Sequence, residues 1–180
     1  MAATMKVYAH TGSGPSDVNT DVLGPPNVRL KTADDTTIDT NNPIPIPASG
    51  HKYSYWKAVT LWANTSPAGK IDNIKLYTDG GDFGTGIVTY VGDETVATYV
   101  EATGTPGDTG DEMVASNAQI NGRTDVFTYT SGAVFAVTGS ISNPTTGRTS
   151  NYVVLQMAVA DTASPGDLAN ETFTFRYDET

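Results

Sequence analysis

The clearest alternation of hydrophobic and polar positions lies at the end of the chain. In residues 151–160, N-Y-V-V-L-Q-M-A-V-A, the odd positions from 153 to 159 are all apolar, and this period of two predicts a strand whose apolar face packs on a core. Residues 171–177 alternate aromatic and polar side chains, which predicts a second strand. Because S-P-G-D at 164–167 favours a turn, we predict a terminal β-hairpin, with the aromatic face against the apolar face of the first strand's sheet.

Similar alternation recurs from residue 52 onward and predicts about seven strands in all. These strands are residues 52–63, 71–77, 87–91, 95–100, 125–141 with a bend at 131–132, 153–159 and 171–177. The strands 87–91 and 95–100 are expected to form a hairpin around Gly92. Residues 101–123 are predicted to be a long loop, too polar to pack, with one helical turn at 113–118. The fold class predicted from this spacing is an all-β, antiparallel β-sandwich, immunoglobulin-like or jelly-roll.

The first fifty residues show much less alternation. They contain two short strand-like pieces, near residues 5–9 and 27–31, and the run N-P-I-P-I-P at 42–47. Alternate prolines fix φ and remove amide donors, so this run is expected to be extended and unable to enter a central strand. We therefore predict an extended N-terminal arm, residues 1–50, and a sandwich domain, residues 51–180. A disordered leader and an arm that orders on a neighbouring subunit are both compatible with this composition.

Composition narrows the classes of function. The chain has 180 residues, enough for one domain with a sizeable core. Ten Lys and Arg stand against 20 Asp and Glu, a formal net charge of -10, which disfavours binding to nucleic acid. The chain has no cysteine, so it has neither disulfides nor thiolate zinc ligands. Without an apolar leader or a run of about 20 apolar residues, we expect a soluble protein made in the cytoplasm, with no membrane partner.

Few side chains have a spacing typical of a metal site. The two histidines, His10 and His51, have no partner at ligand spacing, and we expect both at the surface rather than in metal binding or acid-base catalysis. Asp79 and Asp82, in D-G-G-D-F-G-T-G, are similar to a calcium loop, but the run lacks the alternating ligands and final glutamate of an EF-hand. We favour a glycine-rich turn there and predict no bound cofactor or metal.

Three further stretches bear on catalysis, phosphate binding and sugar binding. The glycines of residues 81–86 do not lead from a strand into a helix, so a phosphate cradle is not expected. The acidic loop could hold a glycosidase acid pair, but no aromatic platform accompanies it; its acids are Asp108, Asp111 and Glu112. Trp56 and Trp62 share one strand face and could form a sugar platform, although core packing is favoured. No Ser-His-Asp set can be named, and we predict that the protein is not an enzyme.

Three ordered blocks of sequence carry a resemblance to a known family. The first is Y-S-Y-W-K-A-V-T-L-W-A, the second is K-I-D-N-I-K-L-Y-T-D-G with a following G-T-G, and the third is N-Y-V-V-L-Q-M-A-V-A-D-T-A-S-P-G ending in T-F-T-F-R-Y-D-E. Together they cover residues 53–86 and 151–179. In these blocks the chain resembles small virion structural proteins of tailed bacteriophages. The resemblance implies a non-enzymatic component of the particle, with no catalytic residues to transfer.

An acidic β domain is expected to avoid the DNA-facing lumen of a capsid. The resemblance, with this charge, predicts a decoration or cement protein on the outer capsid surface, where it binds the major capsid protein at many symmetry-related copies. A homo-oligomer, dimer or trimer, is expected. The alternatives are a tail or baseplate component, and a host-surface adhesion module that binds carbohydrate.

The N-terminal arm is the predicted attachment device. Ordering a residue costs about 1 to 2 kcal/mol of backbone entropy, which a mostly polar segment cannot offset alone. Apolar residues of the arm and one strand tryptophan are therefore predicted to contact the partner, partly by adding strands to its sheet. These residues are Val7, Tyr8, Val28, Leu30, Ile44, Ile46 and Trp56.

Overall fold

The structure is a computed structural model that describes residues 2–13, 19–21 and 28–180. Nearly all of its regular secondary structure is β-strand, with one helical turn, α1 (Met113–Ser116), and one 3-10 turn (Val126–Thr128). The strands are β1 (Met5–His10), β2 (Asn19–Asp21), β3 (His51–Tyr53), β4 (Lys57–Ala63), β5 (Lys70–Thr78), β6 (Ile87–Gly92), β7 (Gly104–Thr105), β8 (Thr109–Gly110), β9 (Arg123–Asp125), β10 (Phe135–Ala136), β11 (Ile141–Ser142), β12 (Gly147–Arg148), β13 (Val153–Ala160) and β14 (Phe173–Glu179).

Two antiparallel sheets form the body of the molecule. Sheet A has eight strands, in the order β2-β1-β4-β13-β6-β9, with β12 also on β4 and β3 also on β13. Sheet B has four strands: β10 and β11 follow one edge of β5, and β14 follows the other. The short strands β7 and β8 form a separate two-stranded sheet. The predicted fold class, an all-β antiparallel β-sandwich, is confirmed.

The main core lies between the two sheets. Val59 and Leu61 of β4, with Val153 and Leu155 of β13, face Leu76 of β5 in one buried cluster. The aromatic side chains of β14 pack against the same cluster, as predicted. The predicted hairpin is wrong, however, because β14 pairs with β5 in sheet B whereas β13 lies in sheet A. A hairpin would place the two strands edge to edge, and their apolar faces can oppose each other only from different sheets.

The other face of sheet A is covered by the loop between β6 and β9. Its buried side chains form a second cluster with Trp56, Tyr152 and Val154; the loop contributes Val96, Tyr99, Ala102, Met113 and Ile120. The prediction that residues 101–123 are too polar to pack is therefore wrong. The predicted hairpin partner, residues 95–100, is also not a strand, since only Val96 makes a bridge, and that bridge is to Tyr152.

Gln156 fixes this loop to the sheet. Its side chain is fully buried, and its amide nitrogen donates to Ser54 O at 2.8 Å and to Asp111 O at 2.7 Å. Its amide oxygen accepts from Met113 N at 2.9 Å. Because both N–H donors and the oxygen of this amide are engaged, these hydrogen bonds offset the cost of burying it. The loop therefore packs on β13 despite its polar composition.

Strand β1 belongs to the sandwich. All six of its residues pair with β4, and Ala9 is fully buried in the main core. The prediction that these residues belong to an extended arm is therefore corrected. Val7 and Ala9 alternate with Lys6 and Tyr8, so the strand presents one apolar face to the core. Residues 28–50 contain no regular secondary structure.

His10 ends β1 in a buried aromatic environment, whereas the sequence predicted a surface position. Its ring meets the Tyr152 ring edge-on at 5.0 Å between centroids, and its Nε2 lies 2.8 Å from Thr60 Oγ1. Burial, and then the nearby charge of Arg148, lower the pKa of His10 to about 4. His10 is therefore a neutral packing residue at pH 7. His51 is exposed, as predicted.

Candidate partner-binding cavity

The two sheets leave an apolar cavity of about 810 Å³ between them. Its walls come from both sheets and include Val7, Met157 and Val159 of sheet A, and Leu76, Phe173 and Phe175 of sheet B. Two irregular segments border it, which we call the rim segment (residues 28–46) and the link segment (residues 163–172). Because Val7, Met157 and Val159 line the cavity, sheet B leaves this part of the inner face of sheet A uncovered.

Exposed apolar side chains concentrate on this cavity. Within the part of the chain that the structure describes, four large apolar residues are exposed: Val28, Ile38, Ile46 and Leu168, at 36 to 46%. All four line the cavity. Scattered single apolar residues are normal on a protein surface, whereas a contiguous group beside a concave opening is typical of a binding site.

The structure brings together most of the residues predicted to contact a partner. Val7, Val28, Leu30, Ile44 and Ile46 all line the cavity, although they are far apart in sequence. The sequence did not identify Ile38 and Leu168, which lie in polar surroundings with no periodic pattern.

The two remaining predicted residues lie elsewhere. Trp56 is 1% exposed, and its Nε1 donates to Val100 O at 3.1 Å inside the second cluster. Because Trp56 is buried, the prediction that it contacts a partner is corrected. Tyr8 packs edge-on against Trp62, with ring centroids 5.4 Å apart. Because Trp56 is buried, the two tryptophans do not form a shared sugar platform.

A buried lysine on β4 holds the rim segment against the sandwich. The Lys57 side chain is 1% exposed, and its Nζ donates to Ala33 O at 3.0 Å and lies 3.4 Å from Asp34 Oδ1. The second carboxylate oxygen of Asp34 accepts from Gly12 N at 2.7 Å. Burial lowers the pKa of Lys57, and the charge of Asp34 partly opposes that effect. The carboxylate of Asp34 thus links the rim segment to β4, through Lys57, and to the residues that follow β1, through Gly12.

A second lysine fixes the shape of the rim segment itself. The Lys31 side chain is 5% exposed, and its Nζ lies 2.9 Å from Asp35 Oδ1 and 3.0 Å from Asp39 Oδ1. Burial alone would lower the pKa of Lys31, but hydrogen bonds and charges from the two aspartates outweigh it and raise the pKa. Backbone bonds add to this anchoring, since Tyr55 N donates to Lys31 O and Thr32 N to Asn42 O, both at 2.9 Å. The rim segment is therefore attached to its own sandwich.

The carboxylates considered for calcium lie in a glycine-rich turn. Asp79 accepts from Gly81 N at 3.2 Å, and Asp82 accepts from Gly84 N at 2.8 Å. Both are local turn bonds. Glu171 lies beside them, and burial, then the charge of Asp79, raise the pKa of its carboxyl. In residues 2–13, 19–21 and 28–180, no group of three or more His, Asp or Glu residues is placed to hold a metal ion.

The acidic residues considered for glycoside hydrolysis each have a partner of their own. Asp108 pairs with Lys52 at 2.6 Å, Asp111 accepts from Thr103 Oγ1 at 2.7 Å, and Glu112 pairs with Arg123. These contacts hold the loop that covers sheet A. The geometry therefore gives these acids a structural role.

Comparison of the chain with protein-family models, curated proteins and solved structures gave no match. The resemblance to phage virion proteins therefore rests on the three sequence blocks alone and remains a prediction. No helix among the described residues is long and apolar enough to cross a membrane.

Proposed function

We propose that this chain is a non-enzymatic structural protein of a tailed-bacteriophage virion, a decoration or cement protein that binds the major capsid protein on the outer capsid surface. One observation carries the proposal: every exposed large apolar residue of the described chain lines a single cavity of about 810 Å³. Apolar surface gathered in this way is typical of a site that another protein covers. The resemblance of the three sequence blocks to virion structural proteins suggests the kind of partner.

Charge and geometry suit an outer position. The net charge of -10 is repelled by packaged DNA and favours the side of the shell that faces solvent. Each copy would bury a modest apolar surface, and symmetry would repeat that contact over the shell, so weak single contacts add to a stable layer. An active site is not needed for this role, and the acids of the covering loop are engaged in structural contacts.

A tail or baseplate component is the second candidate, because the same cavity could receive a tail protein. The carbohydrate-binding alternative loses its main support with the burial of Trp56. An adhesion module usually displays aromatic rings to the sugar. The capsid is therefore the proposed binding partner, and a tail or baseplate protein is the second candidate.

Cosedimentation tests this proposal. The purified chain is mixed with empty capsids, or separately with isolated tails, of the phage that encodes it, and the bound fraction is measured against protein concentration. We expect saturable binding to capsids, at a fixed number of copies per particle, and none to tails. Saturable binding to tails alone would overturn the capsid assignment in favour of the tail, and binding to neither would overturn the virion proposal.

A further inference from the structure

We propose that the cavity receives an extended segment of the partner protein, which adds as a further strand to the free edge of β14. This inference deepens the proposed function by naming the form of the bound ligand, and it rests on that function only for the identity of the partner. Two features carry it: a strand edge that no other described strand pairs with, whose backbone groups face outward, and an apolar cavity against the same strand.

β14 is an edge strand of sheet B. It pairs with β5 along its length, and no other strand of the described residues pairs with its second edge. An edge strand presents unpaired N–H and C=O groups that are a template for another chain. The free edge of β14 is therefore able to accept a strand.

The backbone bonds of β5 show which residues of β14 face outward. Thr78 N donates to Tyr129 O at 2.8 Å, and Val137 N donates to Ile74 O at 2.9 Å, so even-numbered residues of β5 direct their backbone groups away from β14. Backbone direction alternates along a strand, so Lys75 and Tyr77 bond to their β14 partners. Those partners are Arg176 and Thr174, and the alternate residues of β14 are Phe173 and Phe175. Their N–H and C=O groups point to the free edge.

The same two residues line the cavity. Phe173 and Phe175 form part of its wall, together with Val7 and Met157 of sheet A. A strand added beside them would direct every second side chain into the cavity, over the part of sheet A that sheet B leaves uncovered. Pairing with four residues of β14 would extend about 13 Å. Main-chain bonds would supply affinity and the cavity would select apolar side chains, as in other cases of strand addition.

A small apolar molecule would use only half of this arrangement. It would fill the cavity but would not bond to the outward N–H and C=O groups of Phe173 and Phe175, which no described strand pairs with, whereas an added strand engages both features. The link segment adds Asp167 and Glu171 at the border of the cavity, and the whole chain is acidic. A segment with apolar residues at alternate positions and basic residues at its ends therefore fits best.

A peptide experiment tests the inference on the full-length protein. The probe is the synthetic peptide K-T-V-T-V-T-V-K, and the control is the same peptide N-methylated at every valine and threonine, which keeps the charges and side chains but removes the N–H donors of both strand edges. Amide hydrogen exchange is followed by nuclear magnetic resonance with and without millimolar peptide. We expect the probe to slow exchange at Phe173 and Phe175 by about tenfold or more, with no change at Ala136 on the opposite edge of sheet B.

The control peptide is expected to leave both amides unchanged. Equal binding of the N-methylated peptide would overturn strand addition and assign the cavity to apolar ligands in general. Unchanged exchange at Phe173 and Phe175 with the probe would also overturn it. Neither result depends on capsids, so failure of this inference and failure of the proposed function are distinguishable.

Discussion

A protein that begins at Gly50 is expected to lose the cooperative thermal transition of the full chain. The deletion removes β1, which pairs with β4 over six residues and supplies Val7 and Ala9 to the core. It also removes Asp34 and leaves the buried Lys57 without its carboxylate. Breaking a buried ion pair costs about 3 to 5 kcal/mol by itself, and a whole domain is stable by only about 5 to 15 kcal/mol. The remaining chain is expected to be poorly packed.

Circular dichroism during heating, with calorimetry, measures this effect. A matched control begins at Met5 and keeps β1 and the rim segment, and we expect it to melt cooperatively. If the protein that begins at Gly50 melts in one cooperative transition within a few degrees of the control, β1 and the rim segment are dispensable for folding. The sequence alone predicted that outcome, since it located the start of the core near Gly50.

The second large effect is expected for Asp34→Asn. This change leaves a buried ammonium with a neutral partner, so we expect the free energy of unfolding to fall by about 3 kcal/mol at pH 7. The control is Asp35→Asn, which removes a half-exposed partner of Lys31 while Asp39 remains. A partly exposed pair contributes less, so the control is expected to lose about 1 kcal/mol or less. Urea unfolding at fixed pH measures both values.

The pH dependence of Asp34→Asn has a definite sign. Burial lowers the folded-state pKa of Lys57 below its ordinary value of 10.5, so between these two pKa values the unfolded chain binds more protons than the folded chain. Stability from this group therefore rises with pH through that window. Without Asp34 the folded-state pKa falls further, so the deficit of the variant should shrink as pH rises from 7 towards 10.5. A deficit that is constant with pH would contradict this account.

The sequence predicted the faces of the strands better than their pairing. The alternation in residues 153–159 and 171–177 correctly indicated which side chains meet in the core. It could not indicate which sheet each strand joins, because a period of two is the same for a hairpin and for two strands on opposite sheets. Turn residues at 164–167 favoured the hairpin, yet the structure uses them in a link between sheets.

The covering loop shows a second limit. Met113 and Ile120 are buried, but they are isolated apolar residues in an acidic, glycine-rich stretch. Hydrogen bonds from Gln156 to distant backbone groups hold the loop, and bonds of this kind leave no periodic pattern in the sequence. Polar composition therefore predicted an unpacked loop where the folded chain has a second core.

Part of the candidate site was predictable. The apolar residues of the first fifty had no evident partner in the sequence, and five residues predicted to contact a partner do line the cavity. Lys57 carried a usable signal, since it lies on the same inward face of β4 as Val59 and Leu61. Its partner Asp34 is 23 residues away, and only the fold brings them together. The volume of the cavity depends on how two sheets pack, which no single stretch of sequence encodes.

The measurement that tests the central claim most directly compares capsid binding by Val159→Phe and Val88→Phe. Val159 lines the cavity, and its replacement fills space that a partner would occupy. Val88 lies on the neighbouring strand β6, opposite Ala158, and faces the other side of sheet A. Thermal melts of both variants establish that each is folded.

Cosedimentation with empty capsids then compares their occupancy at equal protein concentration. We predict that Val159→Phe binds about tenfold less tightly or weaker, equivalent to roughly 1.4 kcal/mol, while Val88→Phe binds like the unchanged protein. Equal occupancy of capsids by the folded Val159→Phe variant would contradict the account and place the contact outside the cavity.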